Sequence, residues 1–157
     1  MAQPPSFLPR AAVRLGFLGL APLTISGLVS LSQHHGTARI GVLSFTIYAA
    51  ALLSFLGGVR CGIELKRAPQ TPDPLRLTFS ALPALGGWLL AMIVVLAPWG
   101  LGAASAFAGL FALQYVWDHR SANAGAPEWY PLIRQVLTGG AMIACLLIPL
   151  ATALRRI

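Results

Sequence analysis

The sequence predicts an all-α fold, a polytopic bundle of transmembrane helices with five spans. Three observations predict it. Only 10% of the 157 residues are Asp, Glu, Lys or Arg, and 57% are hydrophobic; mean hydropathy is +0.75. A soluble domain is about a quarter charged, and this chain has too few polar side chains to cover a water-facing exterior. The apolar positions fall in continuous runs of about 17–22 residues, the length that crosses a hydrocarbon core of roughly 30 Å at 1.5 Å per residue. Those runs do not alternate with period two, which excludes a membrane β-barrel.

Residues 1–13 form a short lead-in, with Pro4, Pro5 and Pro9 around Phe7 and Leu8. Arg10 and Arg14 precede the first span, residues 15–31. This run exceeds the 7–15 apolar residues of a signal peptide, and it is expected to be retained as a span. A polar loop from Gln33 to Arg39 follows. The second span covers 41–62 and ends in Glu64, Lys66 and Arg67. A proline-rich loop, 68–76, leads to the third span, 77–96. Ala97-Pro98-Trp99-Gly100 is a tight turn into the fourth span, 101–117, which is rich in Ala and Gly. Spans three and four thus form a hairpin, with a re-entrant unit as the alternative. A polar loop, 118–131, precedes the fifth span, 132–154. Pro22 and Pro83 interrupt spans one and three, where each frees a backbone carbonyl and can kink its helix.

The cations orient the bundle. Arg10, Arg14, Lys66, Arg67, Arg76, Arg120 and Arg134 fall on one side, Arg39, Arg155 and Arg156 on the other, and Arg60 lies within a span. The richer side is expected inside, giving N-inside and C-outside. Trp99, Trp117, Trp129 and Tyr130 take positions at the interfaces, where amphipathic rings settle; Trp88 lies in mid-span, facing core or lipid. The net charge of +7 is scattered between apolar runs without a basic, aromatic-interleaved patch. It therefore points to the anionic headgroups of membrane lipids as partners and away from nucleic acid.

Few residues offer chemistry. Arg60 and Glu64 stand four apart on one face of the second span. Ionisable groups at membrane depth are costly and usually face protein or water. One reading makes Arg60 an anion or headgroup site with Glu64 or Asp118 as counter-charge; the other lets it snorkel outward and pair with Glu64. Gln114 and Asp118 are four apart on the fourth span at the same depth, so a cluster of Arg60, Glu64, Gln114 and Asp118 is expected near the inner leaflet. The alternative is separate solvation among the headgroups. Ser54, Gly58 and Gly62 make a stripe of small residues, which serves close packing within the bundle or a dimer seam. His34 and His35 in the first loop are too few for a metal site, and His119 is interfacial. Cys61 and Cys145 read as buried, reduced thiols. No catalytic or dinucleotide fingerprint is present. Catalytic, cofactor and metal residues are accordingly expected to be none, and an enzyme is not expected.

Three segments carry a resemblance: Gly16-Phe-Leu-Gly-Leu-Ala-Pro22; Tyr48 through Ser54-Phe-Leu-Gly-Gly58 to Gly62; and Pro127-Glu-Trp129-Tyr130-Pro-Leu-Ile-Arg134 into Leu137-Thr138. They resemble a family of small polytopic inner-membrane proteins of proteobacteria and mitochondria, which includes transmembrane protein 69 and is classed as a domain of unknown function. The resemblance spans residues 14–153. It implies a bundle of about five spans in the bacterial cytoplasmic (inner) membrane or the mitochondrial inner membrane, and supplies no activity. After Phe-Leu-Gly-Gly the family tends to have His and Trp where Arg60 and Cys61 stand here, so no role of that histidine carries over. The leading expectation is a non-enzymatic accessory, assembly or stabilising subunit whose partners are other membrane subunits. The alternative is a small-solute or ion transporter, acting as a homo-oligomer.

Overall fold

A backbone that cannot hydrogen-bond to lipid must satisfy itself, and the helix does so within each segment. In the computed structural model, residues 10–97, 100–120 and 130–154 are described, and they form five α-helices. These are α1 (Arg10–Val29), α2 (His35–Arg67), α3 (Pro74–Leu96), α4 (Gly100–Arg120) and α5 (Tyr130–Leu154). By length and composition, α2, α3 and α5 are long and apolar enough to cross a membrane, and Val13–Val29 of α1 is a shorter apolar helix. The expected turn residues Pro98 and Trp99, the loop residues Pro127 and Trp129, and the terminal Arg155 and Arg156 lie outside the described residues, as does the lead-in up to Pro9.

The helices extend past the apolar runs. Part of the expected lead-in is helical from Arg10, and most of the expected first loop is the opening of α2, where the Ala38 N–H donates to the His34 carbonyl at 2.9 Å. No proline stands in 35–39, so the helix runs through the polar residues that precede the apolar run. Likewise α3 starts at Pro74, earlier than the hydropathy edge. Proline suits a first helical position, whose N–H has no helical partner, and the Asp73 carboxylate accepts from the Leu75 N–H at 2.9 Å as N-cap. Lys66 and Arg67 close α2, where cations suit the negative end of the helix dipole. Helices α1 and α3 run through Pro22 and Pro83, and α5 also runs through Pro149.

Each helix packs on the next, and α5 closes the ring against α1, with α2 also touching α4. Successive helices are antiparallel: Gly41 meets Ser30 while Tyr48 meets Gly19; Gly57 meets Ser80 while Gly87 meets Ala50; and Gly86 meets Leu110 while Phe79 meets Trp117. An odd ring of alternating helices needs one parallel pair. That pair is α1 with α5, since Gly16, Gly27 and Gly140 abut Leu137, Leu147 and Leu20. The core is Leu23, Phe45, Leu53, Phe107, Phe111 and Ile148 with small residues between them. Large apolar side chains cover the outside, among them Phe17, Ile47, Leu85 and Ile143. Trp88, 61% exposed, belongs to that exterior, which settles its placement as outward rather than core.

The glycines that let helices approach are not those of the expected stripe. A Cβ on Gly57 would collide with the Ser80 carbonyl oxygen, and one on Gly41 would lie 2.8 Å from Ser30 Cα. Ser54 is exposed, and a Cβ on Gly58 or Gly62 meets nothing within 4 Å. The stripe Ser54, Gly58, Gly62 therefore faces out of the bundle. The helix rotates so that Gly57, one residue along, meets α3.

Candidate functional site

The alternation brings the start of α1, the end of α2, the start of α3, the end of α4 and the start of α5 to one end of the bundle. Nearly all the described charges gather there. On α4, the buried residues Phe107, Phe111, Gln114 and Asp118 recur at helical spacing, so one face grades from aromatic core to carboxylate. On α5, Arg134, Thr138, Ala141, Cys145 and Ile148 do the same. Where the two polar ends meet, a charged cluster forms inside the bundle.

Asp118 is its centre. Arg60 Nη1 donates to Asp118 Oδ1 at 2.7 Å. Arg134 donates to Oδ2 from Nε at 2.7 Å and from Nη2 as well. Gln114 Nε2 adds a longer bond to Oδ1 at 3.4 Å. The Arg134 and Asp118 side chains are each 4% exposed and that of Arg60 is 13% exposed. Aromatic faces line the guanidiniums: Arg60 lies 5.4 Å from the Trp117 ring centre, and Arg134 lies 6.0 Å from that of Tyr130. Each contact adds cation–π attraction, stronger where water is excluded. Phe79 of α3 packs on Trp117 at 5.0 Å, which carries the cluster's packing to a fourth helix. Among the described residues two guanidiniums share one carboxylate, so the cluster they form holds one positive charge in excess. Arg134 Nη1 is buried without a hydrogen-bond partner among the described residues.

The expected grouping is thus divided. Arg60, Gln114 and Asp118 come together; Glu64 does not join them. One turn beyond Arg60, its buried carboxylate accepts from Arg67 at 2.8 and 3.0 Å and from the Asp73 N–H at 3.2 Å, with Arg76 at 3.8 Å. Four apart on a helix means one face but not one partner, and Glu64 meets the cations that flank the α2–α3 connection, Arg67 at the end of α2 and Arg76 in the first turn of α3. It clamps that connection. Arg134 is the member that sequence reading missed, having been assigned to the inner-side cations. The signal was present: its spacing with Thr138, Ala141 and Cys145 makes a small and polar face on an otherwise apolar helix.

Elsewhere the candidates stand apart. His34 and His35 are exposed at the start of α2, and among the described residues no group of His, Cys, Asp and Glu could hold a metal. His119 stacks on Tyr115 at 6.0 Å. Cys61 and Cys145 are free thiols. The described residues leave a cavity of about 230 Å³ between α1, α2 and α5, apolar along most of its wall and bounded at one end by Tyr130 and Arg134.

An apolar exterior around helices long enough to span, with the charges paired inside one end, defines a multi-pass helical membrane protein. The chain belongs to the DUF3429 family, described as a protein of unknown function, whose model matches residues 8–151. It is 30% identical over 138 residues to transmembrane protein 69 of Xenopus tropicalis, covering 83% of this chain and 50% of that protein. Against transmembrane protein 69 of Mus musculus it is 36% identical over 83 residues, covering 51% of this chain and 33% of the relative. The chain spans half the length or less of these curated relatives. No solved structure matches it.

Proposed function

We propose that this chain is a non-enzymatic accessory, assembly or stabilising subunit of a larger membrane complex. In this reading it crosses a bacterial cytoplasmic or mitochondrial inner membrane five times, N-inside and C-outside. The observation that carries the subunit role is the outward face of α2. Ser54, Gly58 and Gly62 lie there with open space above the glycines, beside the exposed ring of Phe55. Small residues let a second helix approach closely in lipid, where van der Waals packing drives association. The charged groups serve the bundle itself: Asp118 joins α4 to α2 and α5, and Glu64 holds the α2–α3 connection. The topology draws support from the shared end of the bundle, which among the described residues holds Arg10, Arg14, Lys66, Arg67, Arg76 and Arg120 against Arg39 at the other, the asymmetry that the positive-inside rule reads.

Purification of the tagged chain from native membranes in mild detergent tests the role. Partner subunits at fixed stoichiometry, lost on Gly58→Ile, are the expected result. A lone chain or homo-oligomer that moves solute in proteoliposomes overturns it in favour of the transporter reading. Single cysteines at Gly36 and Gln70, labelled from either side of sealed vesicles, test the orientation; labelling of Gln70→Cys from the outer face overturns it.

A further inference from the structure

We propose that the cavity between α1, α2 and α5 is a specific site for an anionic phospholipid, its phosphate on Arg134 and one acyl chain along the apolar wall. Three independent features converge on this occupant. The first is charge: Asp118 is shared by Arg60 and Arg134, which among the described residues leaves one positive charge uncompensated in a place where an unpaired charge is costly. The second is an unfilled donor. Arg134 is 3% exposed, lines the cavity, and keeps Nη1 without an acceptor among the described residues. Buried polar groups are rarely left so, and a phosphate oxygen is the acceptor that a guanidinium fits best. The third is shape. Helices α1 and α2 touch from Gly41 and Ser30 to Tyr48 and Gly19, and beyond that contact Leu20, Leu52, Leu56 and Leu137 wall the cavity. Leu15 and Phe55, which also line it, are 64% and 58% exposed, so the lining reaches the apolar exterior.

A volume of about 230 Å³ admits part of one chain, and the rest of the lipid lies in the surrounding leaflet. This favours a bilayer lipid over a free anion: an inorganic phosphate would fill the charged end and leave the apolar wall empty. The start of α5 adds the positive end of its helix dipole to the same field.

Native mass spectrometry of the full chain, released from micelles containing phosphatidylglycerol or phosphatidylcholine, tests the site. A single retained phosphatidylglycerol is expected, with phosphatidylcholine lost at the same collision energy. Two variants report on the two halves of the lipid. Gly19→Leu adds a side chain where a Cβ meets nothing within 4 Å, so it fills the cavity without disturbing the backbone; it should fold as wild type and lose the lipid. Arg134→Lys keeps a cation beside Asp118 but replaces the planar fork, which can hold the carboxylate through Nε and Nη2 and a phosphate through Nη1, with a single nitrogen, and should lose the preference for phosphatidylglycerol. Retention of lipid by Gly19→Leu overturns the proposal, as does equal retention of the two lipids by the wild type. Thermal stabilisation by inorganic phosphate equal to that by phosphatidylglycerol overturns it as well, since the apolar wall would then contribute nothing.

Discussion

Replacing Asp118 with Asn removes the one negative charge between Arg60 and Arg134 while keeping shape and one acceptor oxygen. Two nitrogen–oxygen contacts of 2.7 Å reach the carboxylate from different helices. At charge separations near 4 Å and an effective dielectric of about 20, each pair is worth about 4 kcal/mol before desolvation. Desolvation of three ions offsets most of that sum, so the net value of the cluster is small. The variant nevertheless leaves two guanidiniums facing each other. Arg60, the more exposed, can turn toward headgroups; Arg134 is enclosed. Losing one partner of a buried pair costs about 3–5 kcal/mol, and that is the expected loss for Asp118→Asn. Unfolding in mixed micelles by rising dodecyl sulfate fraction, followed by tryptophan fluorescence, measures it. A second variant makes the reasoning specific: Asp118→Leu combined with Arg134→Leu deletes both enclosed charges, and should be more stable than Asp118→Asn alone. An Asp118→Asn protein that unfolds at the wild-type midpoint, or a double variant less stable than the single one, refutes the account of a mutually dependent buried cluster.

Three further outcomes follow from the packing. Gly57→Ala drives a methyl group into the Ser80 carbonyl, which as backbone cannot rotate aside; it should cost about 1–3 kcal/mol in the same micelle titration, whereas Gly58→Ala, with open space above it, should be neutral or slightly stabilising. Tyr48→Phe removes the 2.7 Å bond from the Tyr48 hydroxyl to the Gly19 carbonyl, and should lower stability by about 0.6 kcal/mol, the usual value for such bonds between membrane helices. Glu64→Ala releases Arg67, Arg76 and the Asp73 N–H together; amide exchange across 68–76 should quicken while the core of α5 keeps its protection.

The charged cluster shows why sequence reading reached some of the site and not the rest. Depth was legible: Arg60, Gln114 and Asp118 stand at corresponding distances from the ends of their apolar runs, and the structure finds them in contact. Partner choice was not, as Glu64 and Arg134 demonstrate. Glu64 shares a helical face with Arg60 yet serves the α2–α3 connection, and Arg134, which resembled a topology marker, turns inward to Asp118.

The sequence by itself determined a membrane protein of helices, their order, and their approximate ends, because hydropathy is a coordinate along the chain and lipid selects on it directly. The ends moved by a few residues where Pro74 and His35 could carry a helix past the hydrocarbon edge. Tertiary structure alone decided how each helix is turned about its axis. That rotation puts Gly57 rather than Gly58 against α3, sends the Ser54–Gly62 stripe outward, and gives Asp118 two guanidiniums instead of one. The reason is that hydrocarbon and a packed apolar core solvate a leucine almost equally. The two faces of such a helix therefore differ little in composition, and only close packing and a few buried charges choose between them.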